Sequence, residues 1–175
     1  MKKTFFILLM MASVQGYSQD ATPTLKTILL SQLKSTHDAK DWFVPVNTAL
    51  EGLTPEQANW KDNSGNHSIA QLVQHLIFWN EWQLEKFNGK TDKSFSGDNN
   101  ETFVVADQHA WNASVKKIDD IMKGWENVVN TTDPKKMGNW YDVVAHISAH
   151  NAYHIGQIVY IRKLQGSWNP DKGVK

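Results

Sequence analysis

Cysteine is absent from all 175 residues. No disulfide can therefore stabilise the fold, and any metal site must be built from histidine, carboxylate or water. An excess of one charge is missing too. The 18 basic residues balance 18 acidic ones and form no basic stripe, which argues against a nucleic-acid partner. Beyond the first few residues no run is long and apolar enough to span a bilayer, so stable membrane insertion is not expected. Alternating strand patterns with hairpin punctuation are lacking, as are internal repeats, low-complexity tracts and interdomain linkers. The chain carries no Gly-x-Ser-x-Gly, no phosphate loop and no dinucleotide fingerprint.

What is present begins with a targeting segment. Met1-Lys2-Lys3 is a short basic start, and Thr4 to Ala12 is apolar but far too short to cross a membrane. Gly16 and Ser18 then stand at the −3 and −1 positions of a cleavage site. Residues 1–18 read as a signal peptide that is removed, and residues 19–175 as a single domain that is exported, periplasmic or secreted. No cysteine near the cleavage point offers a lipid attachment site. Removing Lys2 and Lys3 leaves 16 basic against 18 acidic residues, a net charge of about −2. Tryptophan is frequent, with eight residues. Anchors of that size can build a core without disulfides, and any left on the surface make a homodimer an expectation.

Four stretches show helical periodicity. The first spans about 24–50, with Leu25, Ile28, Leu29, Leu33, Trp42, Val46 and Leu50 in its stripe and Pro45 as a kink or interruption. The second spans about 68–87, with Ser68 and Gln71 as a capping box and Ile69, Leu72, Val73, Leu76 and Trp79 as its apolar side. A polar connection at 88–106 follows, long enough to be functional or poorly ordered. The third stretch runs from about Asp107, its expected cap, to Asn130, and the fourth from about Trp140 to Gln165 with Gly166 as a stop. The pattern predicts an all-α fold, a four-helix bundle.

Seven histidines occur. His37, His67 and His109 lie in polar surroundings or near helix starts and read as surface or capping residues. The fourth helix differs. His146, His150 and His154 stand at i, i+4 and i+8, where neighbours are about 6 Å apart along the axis and turned by only ~40°. They share one face, next to the Ile147, Ile158 and Ile161 stripe, so that face should point into the bundle. Desolvated imidazoles at this spacing are costly without partners, and two can converge on one cation. His75, at the edge of the second helix's stripe, is the expected third ligand from a facing helix. Core histidines bonded to backbone, water or tryptophan remain the alternative for all of them.

Three segments resemble a known family. Residues 68–76 (SIAQLVQHL) resemble the second-helix motif of the DinB/YfiT-like superfamily. Residues 150–158 (HNAYHIGQI), followed by Arg162-Lys163-Leu164 and Gly166, resemble its fourth-helix motif. Residues 53–60 (LTPEQANW) resemble the segment that often follows its first helix. The resemblance implies a four-helix bundle with a three-histidine site for one divalent metal ion, zinc or nickel first and manganese or iron as alternatives. On this chain the ligands it implies are His75, His150 and His154. His146 falls outside the triad and becomes a neighbouring or pocket-lining group, together with Tyr153, Gln157 and Trp79.

Three neutral ligands leave open coordination positions and make bound water comparatively acidic. A metal-dependent hydrolase, or a transferase acting on thiols by analogy with the family, is then one reading, with an unknown small molecule as substrate. The others are a non-catalytic metal- or ligand-binding envelope protein and a site that mainly stabilises the bundle. Glu81 and Glu85 lie well off the face of His75 and read as a solvated helix face rather than as a general base.

Overall fold

The computed structural model describes residues 22–90, 94–104 and 107–173. The segment read as a signal peptide lies outside them. Among the described residues all regular structure is helical, in seven α-helices and three short 3₁₀ turns. Four helices are long: α1 (Leu25–His37), α4 (Ile69–Phe87), α5 (Trp111–Thr131) and α7 (Tyr141–Leu164). α1 packs on α5 and α7, and α4 packs on the same two, which closes a ring around one core. Three helices of five residues each fill the connections: α2 (Val46–Leu50), α3 (Pro55–Asn59) and α6 (Pro134–Gly138). No helix among the described residues is long and apolar enough to cross a membrane.

The helix starts follow local chemistry. Thr24, Thr54 and Ser68 each accept from the backbone N–H three residues on, and the Thr27, Gln57 and Gln71 side chains return the contact. Gly166, with φ of 71°, takes the left-handed conformation that ends α7. The core is built from Leu29 and Leu33 of α1, Leu72, Val73 and Leu76 of α4, Ile118, Met122 and Trp125 of α5, and Ile155 and Ile158 of α7.

Several expectations need correction. The first stretch is not one helix, because residues 38–45 leave helical geometry between α1 and α2. Pro45 starts the second piece, and a residue before proline is driven to extended backbone. Trp42, expected in the stripe, is 92% exposed in that break, while Val44 takes the buried position. Asp107 does not cap α5. Its carboxylate accepts from the His109 N–H and so holds the turn at Gln108–Ala110 that precedes the helix.

His37 is the largest surprise. It is 1% exposed, not a surface or capping residue. Its Nδ1 lies 2.6 Å from Glu126 Oε1 and its Nε2 2.8 Å from Asp119 Oδ1. Both carboxylates come from α5, so the ring ties the end of α1 to that helix. Asp119 also accepts from Asn47 and Lys123. Burial pushes its carboxyl up, but those hydrogen bonds and the one to His37 outweigh it and hold the group below the usual carboxylate range. Although His37, Asp38 and Glu126 are close enough to hold a cation, both nitrogens of His37 already face carboxylate partners, which reads as a structural ion network.

Candidate metal centre

Two long helices and one connection assemble the site. α4 supplies His75, which is 2% exposed. α7 supplies His150 and His154, one turn apart and facing α4. Their ligand atoms converge: His150 Nε2 lies 3.0 Å from His75 Nε2 and 3.1 Å from His154 Nε2. One candidate donor atom from each residue falls within 4.8 Å of the other two. With bonds of about 2.1 Å to a common cation, such separations subtend angles of about 90–95°, a compact three-nitrogen face.

Hydrogen bonding on the far side of the rings fixes which nitrogen carries the lone pair. His154 Nδ1 lies 2.6 Å from Gln157 Oε1, an acceptor, so Nδ1 bears the hydrogen and Nε2 the lone pair. His75 Nδ1 contacts Thr102 Oγ1. That hydroxyl gives its own proton to Asn99 O at 2.7 Å, so it can only accept from the imidazole. His75 Nε2 therefore also presents a lone pair to the centre. This is the outer support that a metal-binding imidazole needs.

The electrostatics agree. Burial pushes His75 down to about 3, and His154, His150 and His67 add to the shift. Burial and then His154 push His150 down to about 4. His154 is lowered by burial and by His67, against a hydrogen bond to Gln157 that raises it. His75 and His154 both turn Nε2 lone pairs toward His150 Nε2, at 3.0 and 3.1 Å, so a cation or a proton has to lie among the three nitrogens. The donor set therefore fits a divalent transition metal.

The face opens on a cavity of about 860 Å³. Trp79, Asn80, Gln83, Asn99, Asn100 and Phe103 form much of its wall. Trp79 donates from its indole N–H to Asn99 Oδ1 at 3.1 Å. Tyr153, mostly exposed, lies edge-on to the His154 ring. His146 does not point into the bundle with the other two, because its side chain is 77% exposed at the cavity mouth. Its Nδ1 is turned to Asp142, 2.9 Å from the carbonyl oxygen and 3.3 Å from Oδ2. Glu81 pairs with Lys117 on α5 at 2.7 Å, away from the histidines.

Sequence reasoning missed the contribution of the α4–α5 connection. Phe103 stacks on His75 with centroids 3.9 Å apart, and His67 stacks on the other face of Phe103 at 3.8 Å. Thr102 and Asn99 come from the same segment. The available signal was two aromatics in a mostly polar connection, Phe95 and Phe103, the second followed by Val104-Val105-Ala106.

A family model described as the DinB superfamily matches residues 46–158, a span that includes all three converging histidines. No curated protein matches the chain, and no solved structure does.

Proposed function

The chain belongs to the DinB superfamily, and from that premise we propose that it binds one divalent metal ion through His75, His150 and His154 and presents it to a small molecule in the adjoining cavity. The observation that carries this reading is the convergence of the three Nε2 atoms, with the outer nitrogens of His75 and His154 held by Thr102 and Gln157. Zinc and nickel suit an all-imidazole donor set, and manganese or iron are the next candidates. A site serving stability alone would be closed by a fourth protein ligand. This one faces a cavity instead.

Elemental analysis of the wild type beside His154→Ala tests the proposal. About one equivalent of transition metal is expected in the wild type and little in the variant. His146→Gln, altered outside the triad, should keep its metal. A wild-type protein that takes up none of zinc, nickel, manganese and iron would make the histidines structural and end this reading.

Catalysis of the metal-dependent hydrolase or transferase type follows as an extension. A bound cation supplies Lewis acidity. The amides of Gln83, Asn99 and Asn100, which line the cavity, can orient a polar substrate. With Nδ1 donating to Asp142, His146 keeps Nε2 as an acceptor and is the candidate to take a proton at the cavity mouth. Export is proposed from residues 1–18. The intact mass of protein recovered from its host should then correspond to a chain beginning at Gln19, and a mass that includes Met1–Ser18 would refute it.

A further inference from the structure

We propose that the metal cavity continues into a second subsite walled by Trp60 and Tyr160, and that the ligand is an elongated molecule with a metal-binding head and a flat apolar or aromatic tail. The proposal rests on the metal reading above and specifies what the site takes.

The two spaces adjoin each other. A groove of about 350 Å³ shares His67, Leu72 and Gln157 with the wall of the metal cavity. Gln157 is the hinge between them, because its Oε1 holds His154 Nδ1 while the residue also lines the groove. The register of α7 explains the adjacency. His150, His154, Gln157, Ile161 and Leu164 lie within about 40° of one line along the helix, and His154 to Leu164 spans about 15 Å. A single strip of α7 therefore runs from the metal ligands to the far end of the groove.

The chemistry changes along that strip. Around the histidines the wall is rich in amides. Beyond Gln157 the strip itself turns apolar at Ile161 and Leu164, and the groove gathers, beside Lys61, Asp62 and Asn66, large hydrophobic side chains that are left in water: Trp60 at 36%, Tyr160 at 61% and Leu164 at 50% exposure. Exposed apolar surface gathered in one groove marks a binding surface. Adjacency to the metal cavity identifies the occupant as the tail of the molecule whose head reaches the metal. Trp60 closes the outer wall because α3 ends beside it, held by the Thr54–Gln57 capping box.

Calorimetric titration of the metal-loaded full-length protein tests this with two probes that share a chelating head. Acetohydroxamate carries the head alone, and phenyloctanohydroxamate adds a ring on a chain. The tailed probe is expected to bind at least about tenfold more tightly, the gain from burying one ring. In the Trp60→Ala/Tyr160→Ala double variant that gain should fall to within about threefold, with the thermal melt reporting that the protein remains folded. Equal affinity of the two probes for wild type overturns the subsite while leaving the metal reading intact. So does a gain that survives the double variant but is lost in Trp79→Ala, because the tail then lies in the metal cavity itself. A wild type that takes up no metal overturns both.

Discussion

Stripped of metal by a chelator, the protein is expected to lose stability steadily as the pH falls from about 7 to about 4. In the unfolded chain each imidazole titrates near 6.5. In the fold, burial holds His75 neutral down to about 3 and His150 down to about 4. Between those limits the unfolded state binds more protons than the folded state. The sign follows from this difference: the folded state is fully favoured above 6.5 and loses ground as acid is added. The slope approaches about 1.4 kcal/mol per pH unit for each ring, reduced for His150 because its environment is only partly closed to water. His154 is shifted in the same direction. Asp119 does not confound the window. Its folded pKa is depressed, so its contribution persists through this range and is lost only at lower pH. A total stability of about 5–15 kcal/mol makes such a loss visible. Saturating metal should move the decline to lower pH, because the cation occupies the lone pairs that protons would take. Melting curves at several pH values, with chelator and with zinc, measure both effects. A chelated protein with the same melting temperature at neutral pH and at pH 5 would contradict the argument.

The reading of the sequence reached the helices more surely than their ends or their partners. The periodicity behind α4, α5 and α7 is a local property, and those elements begin and end within a few residues of where the pattern places them. The first stretch misled because its apolar spacing continues across the break, although Val44 and not Trp42 returns to the core. His150 and His154 could be paired from spacing alone because they share a helix. His146 obeys the same spacing, yet it lies one turn nearer the exposed start of α7, where the helix pitch says nothing about what covers it. His37 was out of reach for a different reason. Its partners Asp119 and Glu126 stand 82 and 89 residues away, and a single sequence contains no record of such a pairing. Thr102 was hidden in the same way, and Phe103 stood out only as an aromatic in a connection whose composition otherwise signals a loop.

Asn151→Leu is expected to destabilise the protein by about 1–3 kcal/mol and to weaken metal binding as well. Asn80 of α4 and Asn151 of α7 are almost fully buried. Their amides pair reciprocally, with Asn80 Nδ2 2.8 Å from Asn151 Oδ1 and Asn151 Nδ2 3.2 Å from Asn80 Oδ1. The Trp125 indole N–H extends the link to α5 by donating to Asn80 O at 3.1 Å. Asn151 directly follows His150, and Asn80 lies five residues beyond His75. The amide pair therefore fixes how α4 and α7 are turned toward each other at the level of the histidines. Removing one amide leaves the other buried with an unmet hydrogen-bonding group, which carries most of the cost. Replacing both, in Asn80→Leu/Asn151→Leu, removes that orphan and should recover part of the stability lost in the single variant, so the two costs are non-additive. Metal affinity should not recover with it, because two leucines can pack in several registers while two facing amides accept only one. Urea unfolding of the metal-free variants gives the first quantity, and competition with a chelator of known affinity gives the second. If the stability costs simply add, the pair is not a coupled unit. If affinity returns together with stability, the amides hold the fold but do not aim the ligands.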